Sequence, residues 1–157
     1  MPGSYTTAGA IWPTAVSVPP EVQQLVARFY ELADLADPNA GNRFATEVFV
    51  PTGIMAAAGS QGFKGEADIR KSREHAWDAV SARHHQVLRV FAADPAGLDL
   101  MLIGKVEMTV RRTGKNVSGE FTARFVVEPE GIYNGEPRLL SSTVWADSAP
   151  LLAALQE

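Results

Sequence analysis

Two groups of proton-exchanging side chains stand out in this 157-residue chain. Tyr30, Asp34 and Asp37 fall at i, i+4 and i+7, a strip that a helix would present along the edge of its apolar stripe. A carboxylate at such an edge reaches a pocket mouth, where apolar walls favour general acid or base work. The plain alternative is a solvated helix end, with Asp37 merely starting a turn at Pro38. His84 and His85 are adjacent, so on a strand they point to opposite faces and at most one can share a pocket with the acids. His85 would share its face with Val87, Arg89 and Phe91, and His84 with Gln86, Leu88 and Val90. The apolar counts are nearly equal; His85 is taken as the inward one, and a hydrogen-bonded structural histidine is the alternative. Imidazole, which titrates near neutrality, suits moving a proton to or from an enolisable carbonyl.

Other chemistries lack their residues. His75 has Ala79 at the helical ligand spacing, and the remaining histidines diverge, so no metal site is expected. There is no Gly-x-Gly-x-x-Gly, phosphate-loop or Gly-x-Ser-x-Gly run and no cysteine, so no cofactor, thiolate centre or acyl-enzyme is indicated.

The elements that must position these groups follow from periodicity. Val22, Leu25, Val26, Phe29, Ala33 and Ala36 recur at helical spacing behind Pro19-Pro20, which predicts a helix over 21–36 that stops before Pro38. A weaker helix over 41–49 and a short strand over 54–58 follow. A third helix is expected over 66–82, with Ile69, Ala76, Trp77 and Val80 on one stripe. The period then switches to two, predicting strands over 84–93, 98–112, 117–128 and 138–145, joined by turns at 94–97 and 129–137. A two-residue turn at Gly114-Lys115 would set Met108 opposite Phe121, Val106 opposite Ala123 and Gly104 opposite Phe125, making one face apolar and the other charge-matched. Helices followed by an antiparallel meander define an α+β class with helices on one sheet face.

Length argues for one domain over 19–157, preceded by an extended arm over 1–18 with Ile11, Trp12 and Val16 free to pack. A net charge of −4 gives no drive toward nucleic acid or an anionic membrane. No targeting or membrane-spanning segment is legible, so a cytoplasmic location is expected.

Phe29-Tyr30-Glu31-Leu32-Ala33-Asp34, Phe63-Lys64-Gly65-Glu66, Arg83-His84-His85 and Val144-Trp145-Ala146-Asp147, in this order of elements, resemble the nuclear transport factor 2-like superfamily and its SnoaL-like and scytalone dehydratase-like branches over about residues 20–150. The resemblance implies a cone in which a curved antiparallel sheet wraps the N-terminal helices around an apolar pocket for a small hydrophobic molecule, often in a homodimer joined through the outer sheet face. It implies an isomerase, cyclase or lyase acting on a polyketide- or terpenoid-type carbonyl compound, as in secondary metabolism, or a non-catalytic binding or interaction domain of the same fold. Aligned on the dehydratase helix, Asp37 takes the aspartate position but Ala36 the tyrosine position, and a second histidine on a later strand is missing. The catalytic candidates are therefore Asp37, Asp34, His85, His84 and Tyr30. Phe29, Met55, Trp77, Met108, Phe121, Phe125 and Trp145 are candidate pocket-lining residues, and like Met101 and Tyr133 they could equally be core filler.

Overall fold

The computed structural model describes residues 3–130 and 134–157. Tyr133 and the middle of the 129–137 turn lie outside them. Helix α1 (Pro20–Asp34) starts on proline at N1 and buries Val22, Leu25, Val26, Phe29, Tyr30, Leu32 and Ala33. It ends earlier than the periodicity suggests. Leu35 turns extended, at φ −86° and ψ 115°, which puts Ala36 and Asp37 outside the helix on exposed chain.

Helix α2 (Ala40–Arg43) runs into a π-helical turn (Phe44–Val48) that buries Phe44 and Val48. Strand β1 (Phe49–Ala57) begins five residues before the expected strand, crossing Pro51 through an irregularity between Phe49 and Ile54. After the short β2 (Phe63–Lys64), helix α3 (Glu66–Lys71) is only six residues long. The expected helix over 66–82 gives way to successive tight turns, in which Glu74, Ala76 and Asp78 each donate to the carbonyl three residues back. Arginine side chains take the carbonyls a helix would have used: Arg83 binds Ala76 O, and Arg111 binds Trp77 O. Strands β3 (Val80–Ala92), β4 (Asp99–Val110), β5 (Asn116–Glu128) and β6 (Arg138–Ala146) follow, and then helix α4 (Ala149–Gln156), which the strand pattern did not anticipate.

The six strands form one open, curved sheet in the order β2-β1-β6-β5-β4-β3. All neighbouring pairs are antiparallel except β1 with β6, so the sheet is mixed. Its concave face packs Val87, Leu100, Leu102, Phe121, Phe125 and Leu139 against α1 and the π-helical turn. Each such side chain contributes about 1.5–3 kcal/mol when fully buried.

The β4–β5 hairpin keeps its expected faces but not its register. Its loop covers Arg111 to Lys115, with Gly114 at φ 72°, and Val110 N–H donates to Lys115 O at 2.8 Å. Gly104 consequently opposes Phe121, Val106 opposes Gly119, and Met108 opposes Val117. The offset is even, so inward residues stay inward. The cross-strand charge partners do change: Arg124 pairs with Asp99 at 2.8 and 2.9 Å, and Glu107 faces Ser118.

A bulge between Val87 and Arg89 breaks the period of β3, so Val87 and Val90 are buried while Arg89 and Phe91 face outward. The N-terminal arm covers this sheet edge. Val87 N–H donates to Thr6 O, Ile11 N–H to Leu88 O and Val90 N–H to Ile11 O. Val18 enters the core and Trp12 packs against it. No helix among the described residues is long and apolar enough to cross a membrane.

Candidate active site

Between the concave face and the helices lies a cavity of about 850 Å³. Phe29, Tyr30 and Ala33 of α1 form one wall. Val106, Phe121, Ala123, Phe125, Ser142 and Val144 of the sheet form the opposite one, and Met55 and Phe63 close toward the mouth. The alternation of the long strands supplies these inward side chains, and Gly104 makes room for one of them. A Cβ there would lie 2.3 Å from Phe121 Cζ, so only glycine lets that ring lie flat across β4.

His85 stands on the cavity wall, and Asp34 sits directly behind it. The imidazole Nδ1 and Asp34 Oδ1 are 2.5 Å apart, and the His85 backbone N–H donates to Asp34 Oδ2 at 2.8 Å. The Asp34 side chain is 4% exposed and that of His85 15%. An ionised carboxylate only accepts, so Asp34 fixes a proton on Nδ1; in the neutral form of the ring Nε2, which has no partner among the described residues, is then the free lone pair. Tyr30 and Phe121 flank the ring, with centroids 5.2 and 5.5 Å away. The Tyr30 hydroxyl also lacks a partner among the described residues. Burial, then the charge of Asp34, pushes its ionisation well above the ordinary tyrosine value, so it stays a donor.

The arm contributes a residue that the spacing argument did not single out. Tyr5 donates its hydroxyl to Asp34 Oδ2 at 2.9 Å and stacks on His84 at 4.7 Å. Burial and this hydrogen bond raise its ionisation too. Asp34 thus accepts three hydrogen bonds, two from β3 and one from the arm.

The remaining candidates are elsewhere. Asp37 is exposed and accepts the Asn39 N–H at 2.7 Å, capping the turn that the early end of α1 creates. His84 points to the other face of β3, beside a shallow concavity that also takes Met108. Trp145 is 45% exposed on the outer sheet face, because inward positions of β6 fall on Ser142 and Val144. Trp77 lies off the cavity wall and carries the Arg83 guanidinium over its ring at 4.9 Å. Phe29, Met55, Phe121 and Phe125 do line the cavity.

Two further lining residues, Arg73 and Arg83, were not anticipated. Arg83 was within reach of the strand argument, since it stands two residues before His85 and shares its face. Arg73 was hidden by the helix expected there. Among the described residues no three His, Asp or Glu side chains cluster at metal-binding spacing.

This open mixed sheet curved over N-terminal helices is the nuclear transport factor 2-like fold. Nuclear transport factor 2 from Cryptosporidium parvum superposes with a TM-score of 0.56 at 16% identity, covering 84% of this chain and 99% of its own. A protein proposed to be a polyketide cyclase from Bacillus cereus reaches 0.69 at 11% identity, covering 99% of this chain and 93% of its own. A type 2 hexachlorocyclohexane dehydrochlorinase reaches 0.63 at 12% identity, covering 81% and 83%. No family model and no curated protein matches the sequence.

Proposed function

We propose that the protein is a cofactor-independent isomerase, cyclase or lyase acting on an apolar carbonyl compound of polyketide or terpenoid type, with His85 as the general base. The observation that carries this reading is the Asp34–His85 pair set into the cavity wall, with the imidazole flanked by Tyr30 and Phe121. Nε2 takes a proton from the carbon next to a substrate carbonyl. The electron pair moves onto the carbonyl oxygen as an enolate, toward which Tyr30 directs its hydroxyl. Asp34 stabilises the imidazolium that forms. The proton then returns to another carbon in an isomerisation or leaves with an expelled group in an elimination, and the apolar walls keep water from intercepting the enolate. Among fold neighbours, the dehydrochlorinase is named for an elimination and the Bacillus cereus protein for a proposed polyketide cyclisation.

Asp34 is here the orienting acid and His85 the proton carrier, with Tyr30 at the oxyanion; Asp37 and His84 have no part. The outer sheet face sets Phe91, Met101, Ile103 and Trp145 in adjoining cross-strand rows, each at least 36% exposed, which supports a homodimer joined through this face. A cytoplasmic location completes the reading.

Native mass spectrometry of the purified protein would reveal the class of any retained ligand. Proton exchange of matching ketones in D2O, followed by NMR, then tests the chemistry. Wild type accelerates exchange and H85Q does not; equal exchange by both would refute His85 as the base.

A further inference from the structure

Arg73 and Arg83 enter the cavity from two different elements, the turns after α3 and the start of β3. Arg73 Nη2 donates to Ala33 O at 2.8 Å, Arg83 Nη1 to the same oxygen at 3.5 Å, and Arg83 Nη2 to Ala76 O at 2.8 Å. These three bonds leave most N–H donors of the two guanidinium groups unused, and Arg73 Nε is fully buried without a partner. Neither arginine forms an ion pair with any described carboxylate. Asp34 is an acid whose charge acts on both, but its three accepted hydrogen bonds come from Tyr5 and His85.

The planar faces of both cations are covered: Arg73 lies over Phe44 at 5.7 Å and Arg83 over Trp77 at 4.9 Å. The donors left for the cavity include Arg73 Nη1 and Arg83 Nε, whereas Arg73 Nε is buried behind them. Burial, reinforced by the mutual repulsion of the two cations, lowers the Arg73 ionisation to about 10, so it is still charged at neutral pH. The carbonyl of Ala33, at the negative end of α1, offsets part of this charge without neutralising it. Asp68, Lys71, Glu74 and His75 also border the cavity, but all four are exposed at its rim and screened by water. Two half-buried like charges beside a single acid are costly, and they are stabilised when an anion enters between them.

We infer that Arg73 and Arg83 form an anion subsite inside the cavity, so that the ligand carries a carboxylate at the end held by these guanidinium groups. Arg83 and His85 stand two residues apart on one face of β3, roughly 6.5 Å along the strand. The carboxylate is thus anchored one inward strand position away from His85. The anchor supplies orientation, and the apolar remainder lies against Phe29, Phe121 and Phe125. This deepens the functional reading above and rests on its cavity, but not on His85 acting as a base.

Calorimetry at pH 8 with 2-naphthoate and its neutral counterpart 2-naphthamide tests it. Wild type should favour the carboxylate by about 10- to 100-fold, the worth of one charge-assisted hydrogen-bonded contact. R73Q and R83Q should each lose most of that preference, while H85Q keeps it. The Arg73 Nε–H resonance should shift on adding naphthoate and not naphthamide, a readout that needs no variant. No preference in wild type, including no binding of either compound, overturns the subsite, as does a preference that survives both arginine variants or disappears only in H85Q. Failure of ketone exchange with the preference intact would instead remove the base and leave the subsite standing.

Discussion

Asp34→Asn is the most discriminating single change, because its consequences follow from the geometry before any substrate is known. The carboxylate accepts from the Tyr5 hydroxyl, the His85 N–H and His85 Nδ1. An amide offers one neutral oxygen and a donating NH2, so the charge behind the three bonds is lost and His85 can pair with the NH2 only by giving up its Nδ1 proton. Hydrogen bonds to a charged acceptor are worth about 1.5–3 kcal/mol each, so one lost at this buried side chain lowers stability by about that much. With an unfolding entropy near 2 cal/mol/K per residue, a chain of this size should melt about 5–9 °C lower. The second consequence is the tautomer. In the wild type the proton sits on Nδ1 and Nε2 carries the lone pair; in the D34N variant an NH2 facing Nδ1 drives the proton to Nε2, pointing a donor into the cavity where the base should be. Long-range 1H–15N correlation spectra of the His85 ring distinguish the two forms directly, and ketone exchange should fall by about 10²- to 10⁴-fold, the usual worth of a positioned base. An unchanged tautomer together with an unchanged melting temperature would refute the claim that Asp34 orients His85.

Three further predictions concern the supports of the site. Tyr5→Phe removes one donor from Asp34 at a partly exposed position and should cost about 0.5–1.5 kcal/mol in chemical denaturation. Because the folded state holds the Tyr5 hydroxyl protonated above its ordinary value of 10.0, the unfolded chain releases the proton first, so wild-type stability falls as pH rises beyond about 10 and Y5F should show a shallower alkaline decline. Gly104→Ala drives a methyl into the Phe121 ring and should destabilise by about 1–3 kcal/mol, with partial rescue when Phe121→Leu is added; purely additive effects would argue against the contact. Glu47 accepts from Arg43 and from Arg28, which hold its carboxyl below the ordinary range despite partial burial, so its small contribution is present at neutral pH and lost as pH falls through the folded value. The stability gap between wild type and E47Q should therefore close in acid, as read from denaturation midpoints against pH.

The amphipathic stripe of α1, the four long strands and their inward faces were legible in the sequence because they depend on local period, which an even register shift does not disturb. Asp34 and His85 were both among the candidates for the same reason: each sits at the edge of a periodic element. Their pairing was not legible, since they are 51 residues apart and meet only when β3 packs beside the end of α1. Tyr5 reaches Asp34 because the arm bonds across the β3 bulge, a long-range contact with no periodic trace. Arg73 is placed by turns that stand where a helix was expected, in which arginine side chains from β3 and the β4–β5 loop take carbonyls that would have extended it. Sequence pattern thus determined which faces are apolar and which side chains could carry protons. Tertiary structure alone decided which of them touch, because hydrogen bonds between distant segments, and the cavity they enclose, come into being only when the sheet closes over the helices.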